Sequence, residues 1–273
     1  MKRRILAIMA IVGLAGFAGT CQLLNTSFNT IGTHDTFGGE LRNDTGVNFL
    51  GHNVLVAFLN ANNEVVETKT VAPCLRSFQN GRSDFFSATS SQPASATTFA
   101  LARIAFDSAL KVGDTADGDL SFSNIRVARN GTTLKVTGTV KNLDSDELAD
   151  PTICVVVYNS GDDVVLVAKN TSVADLSHNE TADWQITATV PSSATTVDHI
   201  DVWADGLEGG TPIAPESSTG IDVTQCTPTS TPANTTTATA TASNTPTSTP
   251  TGTPPATNTP GAATSTPTPN LCL

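Results

Sequence analysis

At 273 residues the chain is long enough for about two ordinary domains. Its net charge is −11 at pH 7, although charged residues make up only 14% of the sequence. A surface this acidic repels phosphate backbones and anionic headgroups, so we expect no nucleic-acid partner and no direct attraction to anionic lipids. Soluble cations such as Ca²⁺ remain compatible with it.

The first twenty residues have the layout of a secretory signal peptide. Lys2, Arg3 and Arg4 form a short basic start, and the apolar stretch ILAIMAIVGLAGFA follows at residues 5–18. A retained membrane anchor is the alternative, but a spanning helix needs about 20 apolar residues. We therefore expect export to the cell surface or the medium. Removal of residues 1–20 would leave 11 basic against 25 acidic residues.

Cys21 is a candidate for lipidation. The sequence AGTC at residues 18–21 resembles a bacterial lipobox, in which the cysteine becomes the lipidated N-terminus. The lipobox pattern has Gly, Ala or Ser before the cysteine, whereas Thr20 stands there in this chain. Cleavage after Ala18 by the ordinary signal peptidase is the alternative. Contact with the membrane is expected only through such a lipid or through an uncleaved signal.

An internal repeat divides the next two hundred residues. GELRN at residues 39–43 matches GTVKN at 138–142, an offset of 99. The same offset aligns Asn25 with Asn124, and it aligns the Val-Val pair at 65–66 with the pair at 164–165. The alignment predicts that Phe85 corresponds to Trp184 and that one residue is lost after that point. The repeat predicts two related modules at residues 21–108 and 118–206, joined by a linker at 109–117.

Both modules are predicted to consist of β-strands. Residues 134–140 alternate apolar and polar side chains, as a strand with one buried face does. Residues 153–158 are continuously apolar, which predicts a central strand covered on both sides. About seven short strands per module, separated by Gly, Asn and Asp turns, favour an immunoglobulin-like sandwich. The predicted fold is all-β, with two tandem immunoglobulin-like β-sandwich modules and a C-terminal tail.

The tail is predicted to be disordered and to occupy residues 207–273. Between residues 227 and 270 it contains only Thr, Pro, Ser, Ala, Asn and Gly. Such a segment cannot bury enough apolar surface to offset its chain entropy. Its Thr-Pro pairs favour extended polyproline-II conformations, so we interpret it as a spacer or wall-associated stalk.

The second module resembles the FxLYD domain, a small β-sandwich module of exported bacterial proteins. The resemblance rests on LKVTGTVKN at residues 134–142, VVVYN at 155–159 and the hairpin that leads into residues 164–165. The name describes Phe-x-Leu-Tyr-Asp, and Tyr158 is the one literal match. The first module, with VAFLN at 56–60, resembles the family weakly. Pairing with a Thr/Pro-rich segment resembles surface proteins of Chloroflexi-type bacteria. The resemblance implies no catalytic residues.

Clustered acidic residues are the weak candidates for a metal site. Ca²⁺ takes six to eight oxygen ligands and is bound by many extracellular modules. One cluster lies in the linker and another in a loop of the second module, and neither matches an EF-hand loop; the alternative is a solvated acidic surface. The candidate ligands are Asp114, Asp117, Asp119, Asp144, Asp146 and Asp150.

Five cysteines in an exported chain predict disulfides. Across the repeat Cys74 aligns with Val173 and Cys154 with Leu55, so neither module contains a repeated pair. We expect Cys21–Cys74 and Cys154–Cys226 if Cys21 is free, with Cys272 left over. Four cysteines allow three pairings, so the connectivity stays open.

No catalytic or cofactor-binding residue is predicted. The four histidines are expected at exposed loop or strand positions, and no two have metal-ligand spacing. The leading hypothesis is a non-enzymatic interaction or display module with an extracellular protein, cell wall or glycan as its partner. The second is a carbohydrate-binding or adhesive module with Tyr158 and Trp203 as candidate aromatics. A small secreted hydrolase is the remote third.

Overall fold

In a computed structural model, the described residues are 21–60, 62, 64–93, 101–106, 111–192 and 197–225. They form strands and no helix, so the expected all-β class is confirmed. Within these ranges no helix is long and apolar enough to cross a membrane. The predicted signal peptide and the Thr/Pro-rich segment after residue 225 lie outside the described residues.

The N-terminal half, residues 21–112, is built from three sheets. Strands β1, β2 and β7 form one sheet, β4, β5 and β8 a second, and β3, β6 and β9 a small third. The first two enclose an apolar core that includes Phe37 from β2, Phe58 from β4 and Phe86 from β7. The strands are β1 (Cys21–Ile31), β2 (His34–Asn43), β3 (Phe49–Leu50), β4 (Val54–Leu59), β5 (Val65–Val71), β6 (Ser77–Phe78), β7 (Ser83–Pro93), β8 (Leu101–Phe106) and β9 (Lys111–Val112).

The C-terminal half, residues 116–225, has two sheets in a sandwich-like arrangement. One contains β10, β11, β14 and β18, and the other contains β12, β13, β15, β16 and β17. Val136, Trp184 and Val155 belong to the core between them. The strands are β10 (Leu120–Asn130), β11 (Thr133–Asn142), β12 (Leu148–Tyr158), β13 (Val164–Asn170), β14 (Thr181–Thr189), β15 (His199–Glu208), β16 (Thr211–Pro212), β17 (Glu216–Asp222) and β18 (Thr224–Gln225).

The structure is compatible with the predicted tandem repeat. Strands β1 and β10, β2 and β11, and β5 and β13 begin and end 99 residues apart. Asn25 and Asn124 both have a positive φ, 44° and 54°, at a bulge where the pairing with the next strand shifts. Such a conformation is uncommon except for Gly, Asn and Asp, which explains why asparagine stands at both positions.

A buried asparagine recurs at the end of β2 and of β11. The side-chain nitrogen of Asn43 donates to the carbonyls of Val47 and Phe78, and its oxygen accepts the Thr45 amide. Asn142 makes the corresponding bonds to Asp146, Leu176 and Asp144. A single side chain therefore satisfies the backbone of the following loop in each half, as buried polar groups require.

The loss of one residue between the halves occurs earlier than expected. Gly39 is opposite Phe86, and Gly138 is opposite Trp184. Phe86, not Phe85, is therefore the equivalent of Trp184. Phe85 faces the other side of its sheet and belongs to a different apolar cluster.

Two predicted boundaries need correction. Strands β16, β17 and β18 extend the ordered fold to Gln225, so the predicted start of the tail at residue 207 is too early. The predicted linker is part of the sheets, because β9 pairs with β3 and Ala116 bridges to Ile213. Residues 21–225 accordingly belong to one compact unit.

Candidate functional site

The two halves meet in a buried contact that we call the junction. It is formed by the outer face of β1, β2 and β7 with residues 74–76, packed against the outer face of β12, β13 and β15. Strands β1 and β13 join in parallel through Thr26 and Val164, which makes one eight-stranded sheet. Its apolar cluster contains Cys74, Leu75, Phe85, Cys154, Val156, Tyr158 and Val164, with Val167 and Trp203 packed against it.

Strand β12 contributes one face to the core of the C-terminal half and the other face to the junction. Its odd-numbered residues Ile153, Val155 and Val157 point into the core of the C-terminal half. Its even-numbered residues Cys154, Val156 and Tyr158 point into the junction. The expectation that residues 153–158 form a central strand covered on both sides is therefore confirmed. The cover on the outer side is the N-terminal half, which the hydropathy pattern alone does not identify.

The backbones of the two halves come close together at Gly38. The Ser27 hydroxyl donates to the Val164 carbonyl at 2.6 Å, and the Val167 amide donates to the Ser87 hydroxyl at 3.0 Å. A Cβ atom on Gly38 would lie 3.0 Å from the carbonyl carbon of Val164 and closer still to its oxygen. Only glycine leaves room for this approach.

One disulfide crosses the junction, between Cys74 and Cys154, with Cα atoms 5.7 Å apart. This pairing differs from both predicted ones, Cys21–Cys74 and Cys154–Cys226. Cys21 is a free thiol buried in the N-terminal core, away from Cys74, and Cys226 lies outside the described residues. The signal available in the sequence was that neither cysteine has a counterpart across the repeat, which is compatible with a bond between the halves.

Charged side chains complete the junction. The Arg76 amide donates to the carboxylate of Asp205, and the Arg76 guanidinium lies 3.6 Å from it. The same guanidinium donates to the Asp150 carbonyl at 2.7 Å and to the Thr152 hydroxyl at 3.1 Å. Asp84 accepts the Leu75 amide at 3.0 Å. The contacts of Arg76 with Asp150, Thr152 and Asp205 therefore link the two halves by polar groups.

His52 is buried, which corrects the expectation that all four histidines are exposed. Its Nε2 lies 2.8 Å from an Asp84 carboxylate oxygen, and neither side chain is exposed. Its ring stacks on Phe78. His178 is exposed as expected, whereas His34 and His199 are half-buried.

Asp205 should make the stability of the junction depend on pH. Burial raises its pKa from the ordinary 3.8 to about 6; hydrogen bonding and charge from Arg76 oppose the rise, as does the charge of Lys169, whereas Asp84 adds to it. The folded protein then holds a proton that the unfolded chain has lost between about pH 4 and 6. This contribution to stability is full below pH 4 and is lost as the pH rises through 6.

We expect Asp205→Asn to remove that slope. Between about pH 3 and 7 the wild type should lose roughly 3 kcal/mol of unfolding free energy relative to the variant, since one pKa unit is about 1.4 kcal/mol. Urea unfolding of both proteins at several pH values measures the difference. Parallel curves for the two proteins would contradict the assignment.

Cys21 lies at the start of β1, opposite Asn43, and is 2% exposed. It packs in the N-terminal core with Phe37 and Leu41. A lipid on its sulfur would require Cys21 to leave this core, so the packing favours the unlipidated chain. Lipidation of Cys21 stays a prediction. Burial, and secondarily the charge of Asp44, raises the pKa of the thiol from 9.0 to about 11, which keeps it in the unreactive thiol form.

The thiol of Cys21 should therefore be protected in the folded chain. With Cys226 and Cys272 replaced by Ser, we expect native protein to react with a thiol reagent at least about 100-fold more slowly than protein unfolded in guanidinium. The intact mass of the exported chain should carry no acyl group. Immediate labelling of native protein, or an acyl mass, would show that Cys21 is not in the core.

The acidic candidates are only partly brought together. Asp144 and Asp146 join Glu208, with carboxylate atoms within 4.8 Å of one another, and Asp119 lines the same small cavity. Pairing of Leu148 with Glu208 places that glutamate there, which no local pattern in the sequence signals. The pKa of Glu208 is raised because it shares a hydrogen bond with Asp146 and has further carboxylates nearby.

The other acidic candidates lie elsewhere. Asp150 donates its amide to Asp175 and its carbonyl accepts Arg76, so it belongs to the edge of the junction. Asp114 and Asp117 are exposed on the segment before β10 and are not in the carboxylate group. Calcium binding stays a prediction, and a melting curve at millimolar Ca²⁺ checks it.

No family model and no curated protein matches the sequence. Among solved structures, red sea bream transglutaminase is similar at 8% identity and a TM-score of 0.23, over 74% of this chain and 32% of that one. Bacteroides uniformis beta-glucuronidase 2 is similar at 15% identity and 0.25, over 68% and 26%. A tetra-tandem repeat from the extending region of a large adhesion protein is similar at 14% and 0.23, over 75% and 50%.

The chain thus spans about a third of the transglutaminase, a quarter of the glucuronidase and half of the adhesion-protein repeat. Because all three TM-scores are far below 0.5, these similarities carry no argument about function.

Proposed function

We propose that this is an exported, non-enzymatic surface or secreted protein whose two immunoglobulin-like modules form one rigid interaction or display unit on an extended Thr/Pro-rich tail. In this proposal the modules are related to the FxLYD domain, the second more closely than the first. The partner is an extracellular protein or a cell-wall glycan, which the loops at the ends of the sandwiches contact.

The observation that carries the proposal is the junction. Its buried face, its close backbone contact at Gly38 and the Cys74–Cys154 disulfide hold two small sandwiches in one position. A display unit needs such a fixed spacing, whereas domains with small interfaces move relative to one another. A structural disulfide also persists only in an oxidising compartment, which agrees with export.

Localisation tests the proposal directly. The full chain is expressed in a bacterium and detected with antibodies on intact cells, in the medium and in the cytosol. We expect it outside the cytosol with Cys74 and Cys154 oxidised. The matched control is Val12→Asp, which places a charge in the apolar stretch of residues 5–18 and should hold the chain inside. Wild-type protein that stays reduced in the cytosol would contradict the proposal.

The candidate aromatic residues of the carbohydrate-binding alternative are buried or half-buried. Tyr158 is buried in the junction, Trp203 packs against the same cluster and Trp184 is in the C-terminal core. Sugar platforms need an exposed aromatic face, whereas Tyr158 and Trp184 are buried and Trp203 is half-buried. A glycan array probed with the full chain tests this alternative: specific binding would support a glycan partner, and no binding would rule the carbohydrate-binding alternative out and leave an extracellular protein as the partner.

A further inference from the structure

Strand β5 is an edge strand with an exposed apolar end. It pairs with β4 on one side and with no second strand in the described part of the chain. Val65 and Val66, at its start, are 60% and 43% exposed. They are two of the three exposed large apolar residues found among the described residues, and the third, Leu143, lies in the other half.

The corresponding strand in the C-terminal half is covered. Strand β13 lies 99 residues further on, and its Val164 and Val165 are both 0% exposed. The cover is provided by β1, which pairs with β13 through Thr26 and Val164. Val164 is buried in the junction beside β1 and Val165 in the core of the C-terminal half, whereas the corresponding valines of β5 are exposed. An open edge with apolar side chains is a template for pairing with another strand.

A head-to-tail contact with a second copy does not fit this edge. In the chain the covering face depends on Gly38, whose missing Cβ lets the Val164 carbonyl approach. The repeat places Thr137 at the position of Gly38, and Arg126 at the position of Ser27. The C-terminal half therefore lacks the space that would let it cover the β5 edge of another copy in the same way.

The sequence of β5 fits a second copy of itself. It reads VVETKTV, with Glu67 and Lys69 on either side of Thr68. In an antiparallel pair centred on Thr68, Glu67 of each copy faces Lys69 of the other. Opposite charges at directly opposed positions stabilise a strand pair, and like charges destabilise it. Within one chain these two side chains already lie on the same face, with Lys69 Nζ 3.1 Å from the Glu67 carboxylate.

We propose that β5 is a self-association edge, through which two copies of the protein form a symmetric dimer by antiparallel β5–β5 pairing. A two-fold contact of this kind closes on itself and adds no third copy. A free lysine on an edge strand disfavours pairing with another strand. Here the Lys69 ammonium is bound by Glu67 and by the Ser91 hydroxyl. A seven-residue strand pair buries less than a standard interface, so the dimer is weak.

Sedimentation velocity of the mature, oxidised chain from about 1 to 300 µM tests this, since weak interfaces dissociate in that range. We expect the mass to double as the concentration rises. Val65→Lys/Val66→Lys should weaken association at least about tenfold without changing the melting temperature, because both side chains are exposed. Leu143→Lys is the matched control and should leave the association unchanged.

Charge reversal tests the geometry of the pair. Glu67→Lys alone and Lys69→Glu alone should each weaken the dimer, because like charges then face each other across the two-fold axis. The double variant Glu67→Lys/Lys69→Glu should restore it. A chain that stays monomeric throughout, an open polymer, or association unaffected by the valine changes would overturn the proposal. None of these outcomes bears on export or display.

Discussion

Replacing Cys74 and Cys154 together by Ala should lower the free energy of unfolding by about 2–5 kcal/mol. The bond closes a separation of 80 residues and is the covalent connection between the two halves at the junction. Without it the unfolded chain gains conformational freedom, and the halves are held by noncovalent contacts alone. Guanidinium unfolding of the oxidised wild type and of the double variant measures the change.

A reducing agent supplies the control for this prediction. It should lower the stability of the wild type by a similar amount and leave the double variant unaffected. Cys21→Ala should keep the response to reduction, because Cys21 is outside the bond. Equal stability of reduced and oxidised wild type would show that the disulfide does not constrain the junction.

Gly38→Ala should destabilise the protein by about 1–3 kcal/mol, as overpacking of a close contact does. The added Cβ meets the backbone carbonyl of Val164, which cannot rotate away as a side chain can. Relief requires the two halves to separate, so the loss is expected at the junction and not in either core. Thermal unfolding, together with cleavage by a protease at low concentration, measures both the loss and its place.

Thr137→Ala is the matched control, because the repeat places Thr137 at the position of Gly38. Its strand neighbours Val136 and Gly138 face the C-terminal core, so Thr137 faces outward and is half-buried. We expect a change within about 0.5 kcal/mol, as for other surface substitutions. If Gly38→Ala lowered the free energy of unfolding no more than this control does, the close contact between Gly38 and Val164 would be contradicted.

Patterns local in the sequence predicted most of the strands. Alternation over residues 134–140 corresponds to β11, and the apolar run at 153–158 lies within β12. The offset of 99 residues aligns Asn25 with Asn124, and both residues have a positive φ at a bulge in the structure. These features can be predicted from the sequence because each depends on side-chain periodicity or turn chemistry within a few residues.

The junction could not be predicted in the same way. Its contacts join residues far apart in sequence, such as Ser27 with Val164 and Arg76 with Asp205. An apolar run shows that both faces of a strand are covered but not which element covers each face. The predicted cysteine pairing was wrong for the same reason, because it joined Cys74 to Cys21 and Cys154 to Cys226 and included no bond between the halves.

The C-terminal boundary failed for a different reason. Residues 207–225 are rich in Gly, Pro and Ser, which are typical of loops, yet β16 and β17 pair with β15. Short edge strands need little apolar content of their own, because the sheet that they extend supplies the burial. Composition therefore places the end of the ordered fold too early, whereas strand pairing extends it to Gln225.

Peptide mapping under non-reducing conditions tests the junction most directly. Trypsin places Cys74 in the peptide of residues 70–76 and Cys154 in that of residues 142–169, while Cys226 and Cys272 share the fragment from residue 170 onward. We expect one cross-linked species that joins residues 70–76 to residues 142–169, with Cys21 recovered as a free thiol. A peptide of residues 70–76 linked to the one that carries Cys21, or 142–169 linked to the C-terminal fragment, would contradict it.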